Sequence, residues 1–203
     1  IRIAAGLRLG SPLMFPHTCI CGGTVEHNGL HGLVCRQSAG RHSRHNSVNE
    51  VIQKAFSQAG IISDREPVGL VASDGKRPDG VTLVPWSKGR SLAWDATCPD
   101  TFAASHISST SQIAGAAANT AESSKKLKYN GLPQNVDFVP IGIETSGSWG
   151  KEGLKFVNQL GRRIAAVSKD PRSGTFLLQR ISLAIQRGNA ICVLGTRRLN
   201  FTE

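Results

Sequence analysis

The patterning of the chain predicts an α/β fold: a mixed central sheet flanked by helices, with a small zinc knuckle in front of it. Three observations carry this expectation. Val48, Val51, Ile52, Ala55 and Phe56 recur at helical spacing and are stopped by Gly60, and three short strand-like runs follow. Val136 to Ile143 is a near-continuous apolar run of the sort buried on both faces, with helical patterns on either side. Finally, three cysteines and several histidines crowd into residues 17–45, where little periodicity is present.

Taken in order, Ile3, Leu7 and Leu9 followed by Pro12 and Pro16 predict a short helix or lead-in. Residues 19–45 are Gly- and His-rich and need an external staple to hold a shape. A division is therefore expected between a lead-in with knuckle, residues 1–45, and a main domain, residues 46–203. The first helix of that domain starts at Ser47. Strands are expected over Glu66–Val71, Val81–Val84 and Ser91–Thr97, the last two joined by a hairpin loop at Ser87-Lys88-Gly89-Arg90. Residues 103–120 are Ser-, Ala- and Thr-rich and lead into a helix through Ala121–Tyr129, stopped by Gly131 and Pro133. Beyond the 136–143 strand, Leu154, Val157, Leu160, Ile164 and Val167 mark one helix. Phe176, Leu177, Ile181, Ala184 and Ile185 mark another, ending at Gly188.

At 203 residues the chain is long enough to bury a full core. Twenty-four Lys and Arg against fourteen Asp and Glu give +10, and the basic residues recur along the whole length, which favours a polyanion as partner. No apolar run approaches the ~20 residues of a membrane span, and no signal-peptide pattern opens the chain, so an intracellular, cytosolic or nuclear setting is the default expectation. The chain opens at Ile1 without Met and reads as part of something longer.

Two motifs carry chemistry. Cys19, Cys21, His31 and Cys35 offer thiolate and imidazole ligands that suit a closed, structural Zn²⁺ site, and Gly22 and Gly23 permit the tight turn of a knuckle. His17 and His27 compete for the fourth position. The second motif is the pair Asp79 and Asp95 on neighbouring strands, a carboxylate pair suited to Mg²⁺ or Mn²⁺, with the Ala96 carbonyl as a further ligand. Symmetric pairing about Lys88 and Gly89 sets Asp95 opposite Thr82, roughly 10 Å along the strand from Asp79, so a bulge or a bend at Pro78 or Pro85 must close the gap. Such a site wants a cation, yet Thr97, two residues beyond Asp95, is not a Lys. Lys125, Lys128 and Tyr129 share a helix face and are the candidates; Glu122 and Lys125 also fit a surface ion pair. Ser47-Val48-Asn49-Glu50 fits a capping box, and Glu50 is either that cap or a further metal ligand. Arg44, His45 and Asn46, beside the helix start, suit phosphate contact.

With these residues assembled, the chain resembles the restriction-like endonuclease domain of site-specific non-LTR retrotransposons, a branch of the PD-(D/E)xK nuclease superfamily. The resemblance rests on the knuckle at Cys19, Cys21, His31 and Cys35, on Arg44-His45-Asn46, Pro78-Asp79 and Asp95, and on Lys125-x-x-Lys128-Tyr129, in that order. It implies an αβββαβ core, metal-dependent nicking of target DNA to prime reverse transcription, and a reverse transcriptase domain in the same polyprotein. Catalytic roles for Asp79, Asp95 and Lys125 or Lys128, DNA contact by Arg44, His45, Asn46 and Tyr129, element RNA as a second partner, and work in the nucleus are implied with it. Two other readings stand beside this one: a zinc-containing nucleic-acid-binding module that cuts weakly or not at all, and a nuclease similar to Holliday-junction resolvases.

Overall fold

The computed structural model describes residues 1–38, 40–70 and 77–197. Helix α1 spans Arg2–Leu9 and closes on Gly10 in the left-handed conformation. The hairpin β1 (His17–Thr18) and β2 (Thr24–Val25) and the single-turn α2 (His31–Val34) form the knuckle. Helix α3, Gly40–Gln58, leads to β3 (Ser63–Arg65), β4 (Gly80–Thr82) and β5 (Ser91–Thr97). After a short α4 (Ile107–Thr110) come α5 (Ala116–Lys128), β6 (Val136–Gly142), α6 (Lys151–Ser168) and α7 (Ser173–Leu194). The sheet runs β3-β4-β5-β6, antiparallel at the first two junctions and parallel at the third. This is the expected mixed α/β arrangement.

Side-chain alternation along β5 sorts the two faces. Leu92, Trp94 and Ala96 enter the main core with Val48, Ile52 and Phe56 of α3, Phe156 and Leu160 of α6, and Ile181 and Ile185 of α7. Ala93 faces the other way and packs with Val81 and Val136 in a smaller cluster. Asp95 lies on that second face, where α5 contacts β5 and β6.

The hairpin pairing differs from the symmetric expectation in a way that decides the site. Its tip is as anticipated: Ser87 bridges Arg90, with Lys88 and Gly89 both at positive φ, the two-residue turn that matches strand twist. Lower down, however, Gly80 pairs with Trp94 and Val81 with Ala93, a register displaced by three residues from that of the tip. The excess chain is taken up between Thr82 and Trp86. There the Thr82 hydroxyl accepts from the Leu92 N–H at 3.0 Å and donates to the Val84 carbonyl at 2.8 Å, filling in for the interrupted ladder. The paired register ends at Gly80–Trp94, and Asp79, just ahead of β4, donates its N–H to the Trp94 carbonyl at 2.9 Å and accepts the Ala96 N–H on its carboxylate at 2.7 Å, which holds it beside the stretch of β5 that carries Asp95.

The Gly80–Trp94 pair makes this register specific. A Cβ on Gly80 would stand 2.2 Å from the Trp94 ring, so only glycine lets the indole lie across β4. Gly80→Ala is expected to cost about 1–3 kcal/mol by overpacking, visible as a lower thermal midpoint.

Other boundaries also moved. No strand forms over Glu66–Leu70; Pro67 lacks a ladder donor and Gly69 turns the chain at φ +78°, so the edge strand is the earlier Ser63–Arg65, while Val71 lies outside the described residues. Helix α3 begins seven residues before Ser47, so the expected boundary between residues 45 and 46 falls inside it. Helix α7 continues through Gly188 to Leu194, because that glycine serves close packing rather than termination: a Cβ there would meet Arg44 Cβ at 2.4 Å. The same economy docks the knuckle, since Gly32 and Gly40 abut the α7 backbone at Cys192.

Candidate carboxylate site and zinc centre

Asp95 sits near the carboxyl end of β5, 3 % exposed, and two residues of α5 and its C-cap residue converge on it. Lys125, Lys128 and Tyr129, three and four apart, present one helix face, as the spacing predicts. Lys125 Nζ stands 2.5 Å from Asp95 Oδ1, the Tyr129 hydroxyl donates to Oδ2 at 2.6 Å, and Lys128 Nζ lies 4.0 Å from Oδ2. Lys128 also donates to the Tyr129 hydroxyl at 2.9 Å. The Lys125 ammonium thus lies directly against the buried Oδ1. A carboxylate oxygen carries two lone pairs, so one such contact leaves capacity for a further cation.

Asp79 is held by a different set of groups, and all of them act on Oδ2. The Ala96 N–H donates at 2.7 Å, Asn49 Nδ2 at 2.9 Å, and His45 Nε2 lies at 3.0 Å. Burial alone would raise the Asp79 carboxyl, but the bond to His45 and its charge, with the Ala96 and Asn49 donors, outweigh it and leave the group below its usual range. His45 is shifted up in turn, chiefly by its bond to Asp79 against the opposing effect of burial. Because β5 turns the Ala96 N–H towards Asp79, past the end of β4, its carbonyl points to the same side.

Asn49 went unnoticed in the sequence. It is fully buried, and its Oδ1 accepts from the Trp94 indole N–H at 3.0 Å, which fixes the amide so that Nδ2 faces Asp79. A buried Asn at helical spacing from Ile52 and Phe56 was the available signal. Its neighbour Glu50 is exposed and in the interior of α3, so it does not cap that helix; Asn49 is the residue of this turn that bonds Asp79.

The basic tripeptide is split by the helix. His45 faces Asp79, Asn46 is exposed, and Arg44 is 3 % exposed, its guanidinium donating to Asn189 Oδ1 on α7 at 2.8 Å. Glu122 is likewise no surface partner of Lys125. It is buried at the start of α6, where its carboxylate accepts the N–H groups of Gly142, Glu152 and Gly153. Thr97, beyond Asp95, lines a cavity of about 420 Å³ together with Lys125 and residues of α3.

The four knuckle residues come together. Their ligand atoms all lie within 4.8 Å of one another, with Cys19 Sγ 3.8 Å from Cys35 Sγ and Cys21 Sγ 3.3 Å from His31 Nε2. Tetrahedral Zn²⁺ with ordinary bond lengths sets sulfur–sulfur and sulfur–nitrogen separations of roughly 3.8 and 3.6 Å, so the group could hold a zinc ion. Gly22, at φ +86°, makes the turn, and a Cβ on Gly23 would stand 2.8 Å from the His31 ring. The competing histidines drop out: His17 Nε2 is 3.0 Å from the Thr196 hydroxyl, and His27 is exposed. Burial pushes the Cys35 thiol up to about 11, while the Gly23 N–H lowers that of Cys21.

No protein-family model and no curated protein matches the chain.

Proposed function

We propose that this domain is a Mg²⁺- or Mn²⁺-dependent DNA endonuclease of the PD-(D/E)xK kind, nicking one strand of target DNA to prime reverse transcription by a domain of the same polyprotein. The observation that carries this reading is Asp79 held against the Ala96 N–H, one residue from Asp95, with Lys125 against Asp95 Oδ1. The element order α3-β3-β4-β5-α5-β6 supports it, as do the expectations drawn from the resemblance: DNA and element RNA as partners, and action in the nucleus.

The residues fit a divalent ion. The contacts of Asp79 fall on Oδ2, which leaves its Oδ1, and Asp95 Oδ1 keeps a lone pair beside its contact to Lys125; the Ala96 carbonyl lies on the same side of β5 as its N–H, towards Asp79. A bound Mg²⁺ would supply Lewis-acid polarisation of a phosphate oxygen and a lowered pKa for water. The protein's own part is positioning and charge. Tyr129 fixes the Asp95 carboxylate through Oδ2, and Asn49, oriented by Trp94, does the same for Asp79. Lys125 takes over the place of a Lys at position 97, its ammonium reaching the site from α5 to offset charge that grows on the phosphate.

The test is conversion of supercoiled plasmid to open circles with Mg²⁺ or Mn²⁺. Nicking is expected, and Lys125→Met is expected to slow it by about 10²–10³-fold. DNA retention without nicking by the unaltered protein would overturn the enzyme reading and leave a zinc-containing nucleic-acid-binding module.

A further inference from the structure

Beside the carboxylates lies a cavity of about 420 Å³ lined by Arg36, Arg41, His42, Arg44, His45, Ala96, Thr97, Cys98 and Lys125. Of these nine residues four are Arg or Lys and two are His, and among the described residues the lining holds no Asp or Glu. Four parts of the chain build it, one of them α5 through Lys125. The first turns of α3 bring Arg41, His42, Arg44 and His45; the end of β5 brings Ala96 and Thr97; the residue after the zinc ligand Cys35 brings Arg36. The Arg44 guanidinium is a buried charge clamped by Asn189, whereas Arg36 and Arg41 are exposed and free to close on a ligand. Two lining residues, Lys125 and His45, are those that touch Asp95 and Asp79.

We infer that this cavity receives a phosphate of the cut strand next to the one being cleaved, together with its sugar but not its base. The charge asks for an anion, and Arg forks match phosphate oxygens. The volume exceeds what one phosphate needs and suits a sugar-phosphate unit. Base recognition would call for stacking surfaces, and among the described residues no Phe, Tyr or Trp is in the lining. The inference rests on the nuclease reading for the word "cut", and it makes the grip on the strand independent of sequence at this point. It also gives the zinc knuckle a share in the grip, because Arg36 follows Cys35 directly.

The probes are the four deoxynucleoside 5′-monophosphates, their unphosphorylated nucleosides, and a short single-stranded oligonucleotide with only internal phosphodiesters. Each competes with a dye-labelled oligonucleotide on the zinc-loaded protein without Mg²⁺. The four monophosphates are expected to compete within about twofold of one another, and the nucleosides not at all. Competition by the phosphodiester oligonucleotide at lower concentration than the monophosphates identifies the strand as the source. The reverse order identifies a free nucleotide and overturns the inference. Arg41→Ala and Arg36→Ala are each expected to weaken binding by about tenfold, and chelation of zinc to reproduce the Arg36→Ala loss. Both arginines are exposed, and an unchanged thermal midpoint checks that the variants fold. Binding that depends on the base, or that survives the double Arg variant, overturns the inference whether or not plasmid is nicked. The expected binding pattern without nicking supports the phosphate site and removes the nuclease reading instead.

Discussion

Asp95→Asn is expected to lower plasmid nicking by at least about 10²-fold, with DNA retention and zinc content unchanged. The substitution keeps the volume of a side chain that is 3 % exposed and keeps an acceptor for Tyr129, so the fold should hold. What it removes is the charge that pairs with Lys125 and one of the two carboxylate oxygens. An Asn amide placed there offers hydrogens to a cation or to an ammonium, and both are repelled. Some loss of stability should accompany this, because Lys125 is three-quarters covered and loses its partner. A thermal scan alongside the nicking assay separates the two effects. Nicking at the unaltered rate in a folded Asp95→Asn protein would take the carboxylate pair out of the chemistry.

Cys35→Ser is the second large effect, expected on structure rather than on rate. Zinc content should fall towards none, and limited proteolysis should open the chain between residues 19 and 38. The apolar content around the ligands is small: Val25 with Cys19 and Cys35, joined by part of Met14. Burying one such side chain stabilises by about 1.5–3 kcal/mol, whereas structural zinc in finger peptides contributes about 10–16 kcal/mol at neutral pH. A bound ion would therefore outweigh this small cluster, and without it the segment would keep only the docking of Leu33 on Cys192 and Val193. Because the thiols give up protons on binding, and burial holds Cys35 at about 11 in the ion-free group, zinc affinity should weaken as pH falls. Zinc release followed against pH with a chelating dye reads this directly. Full zinc occupancy in Cys35→Ser would mean that the ligand set is assigned wrongly.

The elements themselves were legible because each carries a local pattern. Helical spacing found α3, α6 and α7, the hairpin tip was set by Lys88-Gly89, and the i, i+3, i+4 spacing put Lys125, Lys128 and Tyr129 on one face. What failed had a partner far along the chain. Ser47–Glu50 is a good capping box locally, but α3 extends back to Gly40, where the glycine packs on Cys192. Gly188 looks like a stop until Arg44 is placed against it. Glu122 looks exposed until α6 brings three N–H groups to its carboxylate. Hydrophobic pattern could show that β4 and β5 pair, yet not in which register, since the extra residues between Thr82 and Trp86 do not disturb it.

Those extra residues bear on how the chain tolerates changes of length. Surface hairpins usually accept insertions and deletions, and the Lys88-Gly89 tip, exposed and far from the carboxylates in the ladder, should do so. Deleting a residue from Leu83–Pro85 is a different matter. If the tip keeps its turn, the pairing slips by one, and a one-residue slip sends every side chain of β4 to the other face, Asp79 with it. If Gly80 and Trp94 hold the register, the tip must give instead. The segment thus acts as a spacer whose length, more than its composition, keeps Asp79 beside the end of β5.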